Sequence, residues 1–295
     1  MTLPEGLSAL PSQALPLLEG LGVRSATRVT GGDIAQAYRL DCDGGPRFLK
    51  THPRPQPGMF PREAAGLGAL SAHAPATLGV PDVLAVSEHA LVLEWIERSA
   101  RAGGAGVDED LGRGLAQLHA EAGPAFGTID GDPRGYLGSV PVDQSAAGRW
   151  PEFLLTRRLE PLTERAIAHG AVDPAARDLL RRCARRLDEL CGPAEPPALV
   201  HGDLWAGNRL VDARGRNWLI DPACHWAHRE VDVAMMHLFG GFGVACWAAY
   251  EEVRPLADGW RGRIAWYQLT PLLVHAILFG GSYGASVAAT LRQYA

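Results

Sequence analysis

The chain is nearly devoid of lysine. Of its 28 basic residues in 295, Lys50 is the only lysine and the rest are arginine. High Ala, Gly, Pro and Arg together indicate a GC-rich coding bias that turns lysines into arginines. A position that keeps lysine against that bias needs a compact ammonium rather than a planar fork. The chain also lacks a cysteine framework. Its five cysteines (42, 183, 191, 224 and 246) are odd in number, scattered, and without a Cys-x-x-Cys pair. That pattern excludes a disulfide scaffold and indicates reduced thiols, as in a cytoplasm. There is no excess of positive charge, the net being −5, so a general affinity for nucleic acid is not favoured. No long apolar run is present either. The most apolar stretch, 264–279, contains Gln268, Pro271 and His275 and reads as a buried helix rather than a membrane span. The opening Met-Thr-Leu-Pro-Glu-Gly lacks the basic-then-apolar pattern of a signal peptide, and no internal repeat is visible. The length suits two lobes or one large domain with an ample core.

What is present centres on residues 199–235. Two short apolar runs, 198–200 and 217–220, read as strands, and each delivers a carboxylate: Asp203 just past the first and Asp221 at the end of the second. Asn208 lies between them, and Arg214-Gly215 reads as the intervening turn. Phosphoryl transfer needs one carboxylate to orient and deprotonate the attacking hydroxyl, and a second group of oxygens to hold Mg²⁺ on the nucleotide phosphates. The kinase catalytic loop meets this with an Asp, an Asn five residues on, and a further Asp on a following strand. Asp203 is therefore the expected base, and Asn208 and Asp221 the expected metal ligands. His-Gly-Asp in place of His-Arg-Asp, and Asp-Pro-Ala in place of Asp-Phe-Gly, point to kinases of small molecules.

The N-terminal third fits the same chemistry. Residues 11–20 read as a short helix. Segments 26–30, 35–42 and 47–51 form a β-meander with Gly31-Gly32 at its first corner and Lys50 on its third strand. In kinases such a corner covers the nucleotide phosphates and such a lysine pairs with them. A helix from about Arg62 to His73 carries Glu63 in its first turn, placed to pair with Lys50. Strands 83–86 and 90–93 run into Glu94-Trp95-Ile96, where backbone groups are expected to meet adenine. The lobe boundary falls near Ile96, giving an N-lobe over 1–96 and a C-lobe over 97–295.

From Val107 the pattern is helical, with Leu111, Leu115 and Leu118 on one face. Residues 128–149 read as a long Gly-, Pro- and Asp-rich loop, the kind that is usually functional or disordered. Helices follow over 150–169 and 174–190. His225 and His228 flank Trp226 and Ala227; a transition-metal site there lacks further ligands at the right spacing, and a substrate-pocket wall is the better reading for His225. Asp232 is expected to brace the catalytic loop from the next helix. β runs followed by helices give an α+β, two-lobed protein-kinase-like fold: a β-rich N-lobe with one helix and a mostly helical C-lobe.

These residues carry a resemblance. The chain resembles the fructosamine kinases, or ketosamine-3-kinases, within the wider aminoglycoside-phosphotransferase-like and choline-kinase-like group. The likeness spans Gly31-Gly32-Asp33-Ile34, Phe48-Leu49-Lys50, Glu63-Ala64, Trp150, Phe153, Arg157-Arg158-Leu159 and Pro161. It is strongest in His201-Gly202-Asp203-Leu204-Trp205-Ala206-Gly207-Asn208 and Asp221-Pro222-Ala223, and it continues to Tyr267-Gln268-Leu269. The resemblance implies ATP and Mg²⁺ as cofactors. It also implies phosphorylation of the 3-hydroxyl of a ketosamine, a fructosamine or ribulosamine carried on a small amine or on a protein, as a deglycation repair activity. Trp205, beside the expected base, is placed to pack against the acceptor. Kinases of an aminoglycoside, choline or another sugar, and a nucleotide-binding pseudokinase, are the alternatives, although a pseudokinase has no need of the base.

Overall fold

The structure is a computed structural model and describes residues 6–29, 35–99 and 103–295. Two short 3₁₀ segments, Leu7–Ala9 and Ser12–Leu18, lead into the strands Val23–Val29 (β1), Gln36–Cys42 (β2) and Gly45–Thr51 (β3). Helix α1 (Met59–His73) and the two-residue strand β4 (Leu78–Gly79) follow, then β5 (Val83–Val86) and β6 (Ala90–Glu94). All pairings in the five-stranded sheet are antiparallel, in the order β1-β2-β3-β6-β5. Side chains alternate between its faces. Leu49, Ala90 and Val92 join Tyr38 and Leu40 under the 3₁₀ segment, against Ala14 and Leu18. Leu91 and Leu93 face α1, meeting a core that holds Phe60, Leu67 and Leu70. Lys50 lies between Leu49 and Thr51, and the same alternation sends it to the α1 side.

Helix α1 begins at Met59, earlier than its sequence suggests. Gly58, at φ 81°, ends the approach in the left-handed region, and Pro61 sits in the first turn, where its missing N–H costs nothing. Glu63 therefore lies in the second turn, not the first. Gly31 and Gly32 lie outside the described residues.

The remainder is mostly helical. Helix α2 (Ala105–Leu118) precedes β7 (Arg134–Leu137) and β8 (Val140–Asp143). These two form a hairpin inside the stretch that reads as a loop: Leu137 pairs with Val140 across a two-residue turn, with Gly138 at φ 59°, a conformation tight hairpins require. The expected helix over 150–169 is α3 (Trp150–Leu154), a π-helical turn (Leu155–Leu159) and α4 (Glu160–Ala168). The expected helix over 174–190 is broken into α5 (Ala176–Ala184) and α6 (Leu187–Cys191). Bonds from Arg185 and Arg186 N–H to carbonyls three residues back tighten that turn and end α5. Strands β9 (Ala198–Val200), β10 (Arg209–Val211), β11 (Asn217–Leu219) and β12 (His225–Ala227) build the site, and helices α7 (Glu230–Leu238), α8 (Val244–Val253), α9 (Trp260–Tyr267), α10 (Leu269–Phe279) and α11 (Tyr283–Tyr294) close the chain. Among the described residues, no helix is long and apolar enough to cross a membrane.

One core joins the two regions. Phe60, Leu67 and Leu70 of α1 share it with Leu111 and Leu115 of α2, Leu219 of β11, Val233 of α7 and Tyr250 of α8. The helix that carries Glu63 is thus packed into the apolar mass that supports Asp203 and Asp221. Within it α2 and α8 pack closely. A Cβ on Gly112 would stand 2.1 Å from the Cys246 carbonyl oxygen and 3.0 Å from the Tyr250 nitrogen. Gly112→Ala is expected to push the helices apart at a cost of about 1–3 kcal/mol, read as a fall of several degrees in the thermal midpoint. An unchanged midpoint would mean that α2 and α8 separate freely.

Candidate active site

Two strand pairs hold the loop that follows β9. β12 pairs antiparallel with β9, and β10 with β11. His201-Gly202-Asp203 leaves the end of β9, Asn208 immediately precedes β10, and Asp221 stands just past β11. Asp232, fully buried on α7, fixes the start of the loop as the sequence suggests. One carboxylate oxygen accepts from the His201 N–H at 2.7 Å and the other from the Gly202 N–H at 2.8 Å. His119 Nε2 reaches the first of these at 3.1 Å, and Tyr250 Oη lies 2.8 Å from His119 Nδ1. Burial would raise the Asp232 carboxyl, but the bond from His119 and its charge, with the Gly202 N–H, hold it below its ordinary value.

His201 ties the two halves of the site together. Its Nε2 donates to the Ile220 carbonyl at 2.8 Å, so Nδ1 accepts from the Asp203 N–H at 3.3 Å. Burial pushes its pKa down, which keeps this neutral tautomer. Gly202 is obligatory: its φ is 83°, and a Cβ there would lie 2.2 Å from the Ala223 carbonyl oxygen.

Five predicted residues converge. Lys50 Nζ lies 2.9 and 2.8 Å from the two Glu63 oxygens and 3.1 Å from Asp221 Oδ1. Burial alone would lower the Lys50 pKa, yet Asp221 and Glu63 hold it above the ordinary lysine range. Burial pushes the Glu63 carboxyl up against the pull of Lys50. Asn208 Nδ2 donates to the Asp203 backbone oxygen at 2.8 Å and to Asp203 Oδ2 at 3.0 Å, which leaves the amide oxygen as the end not engaged with Asp203. Asp221 has a φ of 54°, the one positive value outside glycine among the described residues, a conformation Asp tolerates at a cost of about 1 kcal/mol. Burial, and then the Asp221 charge, push the Asp203 carboxyl up to about 7.

Glu63, Asp203 and Asp221 together face one ammonium. With all three ionised the cluster is short of positive charge, and the Asp221 carboxylate and Asn208 amide oxygen are the hard oxygen donors that Mg²⁺ selects. The residues present therefore fit a magnesium–nucleotide complex.

These residues line a cavity of about 590 Å³ that also takes in Trp205 and His225. The Trp205 side chain folds over Gly207, where a Cβ would come within 2.1 Å of the indole. Its ring meets Phe239 edge-on at 6.0 Å and stays 40% exposed, a platform at the rim. His225 is buried in the wall: Nδ1 donates to the Ala223 carbonyl at 2.9 Å, and its ring stacks on Phe153. Burial, with Arg158 nearby, pushes its pKa down to about 3, so it is neutral. Glu94, Trp95 and Ile96 are not brought into this cavity. Trp95 instead lies under the Arg39 guanidinium, 5.3 Å from its ring centre, and beside Phe48. His228 is buried against Trp150 and Tyr267, and no group of three or more His, Cys, Asp or Glu suited to a metal ion occurs among the described residues.

Sequence reasoning assigned no role to Arg158, Gln144 or Tyr136, which also line the cavity. Their signal was a Tyr-Leu-Gly turn and an Arg-Arg pair, neither distinctive without the hairpin and the π-helical turn that aim them.

Comparison with known proteins agrees with this geometry. The fructosamine kinase family model matches residues 13–295. A probable ketoamine kinase of Enterococcus faecium is 36% identical over 271 residues, covering 90% of this chain and 94% of that protein. A crystal structure of a candidate fructosamine-3-kinase from Thermobifida fusca superposes with a TM-score of 0.85 at 36% identity, over 96% of this chain and 98% of that one. An aminoglycoside phosphotransferase in ternary complex with AMP-PNP and hygromycin B shares the fold, with a TM-score of 0.63 at 17% identity over 97% and 99% of the two chains. By sequence across nearly its whole length, and by fold, the chain belongs to the fructosamine kinase family.

Proposed function

We propose that the protein is an ATP-dependent kinase of ketosamines that phosphorylates the 3-hydroxyl of a fructosamine or ribulosamine. The observation that carries this reading is the convergence of Lys50, Glu63, Asp203, Asn208 and Asp221 on one cavity, in a chain of this family. The lobe boundary is taken near Ile96, with the nucleotide against the sheet and the acceptor against the helical region.

In this reading Asp203 meets the acceptor hydroxyl and takes its proton as transfer proceeds. Asn208 fixes the Asp203 carboxylate through the 3.0 Å bond, so its orientation is set before substrate arrives. Glu63 holds Lys50 against the nucleotide phosphates, where the ammonium offsets developing charge. Asp221 and the Asn208 oxygen would hold Mg²⁺, whose charge would offset that of the nucleotide phosphates. Trp205 covers the acceptor at the rim. The removal of ketosamines as a repair activity follows from that chemistry.

A kinase of polycationic aminoglycosides needs an acidic acceptor wall. Among the described residues the acids lining the cavity are Glu63, Asp203 and Asp221 alone, all in the catalytic cluster, while Arg62, Arg134 and Arg158 line it elsewhere. That favours a sugar acceptor over a polycation.

The direct test is coupled ATP turnover with Mg²⁺ on a fructosamine, a ribulosamine, an aminoglycoside and choline. Phosphate is expected at O3 of a ketosamine; turnover of only the aminoglycoside or choline would refute the reading. Asp203→Asn is expected to lower turnover by at least about 10²-fold. The same change should stabilise the free protein above neutral pH. The folded pKa of Asp203, about 7, exceeds its unfolded value, so stability present at low pH is lost as pH rises towards 7, and asparagine removes that loss. A thermal melt at alkaline pH with no gain would contradict it.

A pH profile gives an independent check. Because Asp203 must be ionised to act, kcat/KM is expected to fall below a midpoint near 7. Asp221→Asn removes a neighbouring negative charge and should move the Asp203 midpoint downward, observable by NMR titration of its carboxyl carbon. A midpoint that stayed in place would mean that the Asp221 charge does not reach Asp203.

A further inference from the structure

Arg158 is the one cation lining the cavity, among the described residues, with no carboxylate within 4.0 Å. Lys50 is paired with Glu63 and Asp221, Arg62 with Asp130 and Asp132, and Arg134 with Asp132. Arg158 is only 2% exposed. The acidic side chain that acts on it, Asp143, is committed elsewhere: its carboxylate pairs with Arg157 Nε at 3.3 Å and accepts from the Ser145 N–H at 2.7 Å.

A guanidinium has five N–H donors. In Arg158, Nη1 donates to the backbone oxygens of Asp143 at 2.6 Å and Arg157 at 2.9 Å, and Nη2 donates to Gln144 Oε1 at 2.6 Å. Three donors are thus taken, all by neutral oxygens. The Nε–H and one Nη2–H are left. Those two nitrogens form one edge of the fork, the arrangement that meets a carboxylate or phosphate bidentately. Burying a cation against neutral acceptors is costly unless an anion completes it.

The position suits the acceptor. The guanidinium lies 4.6 Å from the Phe153 ring centre, and Phe153 stacks on His225 at 6.0 Å. His225 Nδ1 is 3.2 Å from where a Cβ on Gly202 would stand, and Gly202 adjoins Asp203. Arg158 is therefore a few side chains from the proposed base along one wall of the same cavity. The π-helical turn Leu155–Leu159 aims it there, and such turns are frequent at functional sites.

We propose that Arg158 determines acceptor specificity by binding an anionic group on the acceptor, at a point several bonds from the hydroxyl that Asp203 meets. The inference rests on the ketosamine reading above. The shared chemistry is an oxyanion, and it has two sources: the carboxylate of a ketosamine formed on an α-amino acid, or a phosphate on the terminal carbon of the sugar. A ketosamine on a simple amine, which carries an ammonium and no oxyanion, leaves the Arg158 edge unanswered.

The test compares three acceptors on the full chain. They are the fructosamine of glycine, the fructosamine of ethanolamine, and the latter with a phosphate on the terminal sugar carbon. Turnover is measured with ATP and Mg²⁺, and binding by calorimetry on the protein loaded with AMP-PNP and Mg²⁺. One oxyanion-bearing acceptor is expected to exceed the plain ethanolamine fructosamine by at least about tenfold in kcat/KM, mainly through KM, because a charge-assisted bidentate contact is worth that much. Which of the two gains tells carboxylate from phosphate. Arg158→Gln should bring the ratio close to one, and Arg158→Lys, which keeps the charge without the fork, should leave an intermediate ratio. A wild-type ratio near one overturns the proposal without recourse to any variant, and so does a ratio unchanged in both variants. If Arg158→Gln does not fold, the ratio in Arg158→Lys decides. Turnover of the plain ethanolamine fructosamine with no preference for an oxyanion removes this inference alone. Neither turnover nor binding of any of the three removes the ketosamine reading and this inference with it.

Discussion

Three charged side chains from three separate parts of the chain meet at Lys50. β3 brings the ammonium, α1 brings Glu63, and the end of β11 brings Asp221, all within 3.1 Å. Lys50 and Glu63, with 12% and 9% of their side chains exposed, depend on each other and on Asp221, because a poorly solvated charge left unpaired carries a desolvation penalty. The sheet therefore cannot drift from α1, nor α1 from the Asp221 turn, without exposing that penalty. The shared core of α1, α2, β11 and α8 holds the same relation by packing. Geometry that phosphoryl transfer needs before substrate binds is thus secured both electrostatically and by apolar contact.

Asp203 is held differently. Among the described residues no cation within hydrogen-bond distance neutralises it; a neutral amide and the neutral imidazole of His201 set its place. The supporting charge, Asp232, is one layer further in and is spent on backbone N–H groups. The loop is thereby rigid while the carboxylate it presents keeps a proton affinity close to neutrality. A base must be firmly placed yet still able to accept a proton, and separating the brace from the base satisfies both demands.

The sequence made the local parts of this site readable. Asp203 and Asn208 lie five residues apart on one loop, and Asp221 ends the next apolar run, so their grouping needs no knowledge of the fold. Lys50 was marked by composition, and Glu63 by its helix. Strand and helix order in the first hundred residues followed from alternation and turn residues. Residues 128–149 did not, because two four-residue strands rich in Gly, Pro and Asp carry too little periodicity to distinguish a hairpin from a loop. Arg158, Gln144 and Tyr136 were correspondingly hidden: their place in the cavity depends on that hairpin and on a π-helical turn within a run that reads as plain helix. His119 acts only through Asp232, more than a hundred residues away. Glu94, Trp95 and Ile96 were assigned by their place in the chain order, and the cavity does not include them.

The scarcity of lysine has a chemical consequence of another kind. Reducing sugars condense with uncharged primary amines, and fructosamines are the products of that condensation. Apart from its terminus, this chain carries one such amine, and there the nitrogen is kept as an ammonium clasped by Glu63 and Asp221, with 12% of the side chain exposed. Arginine guanidinium groups do not form fructosamines. The protein thus offers sugars almost no side chain on which to make the very adduct that names its family.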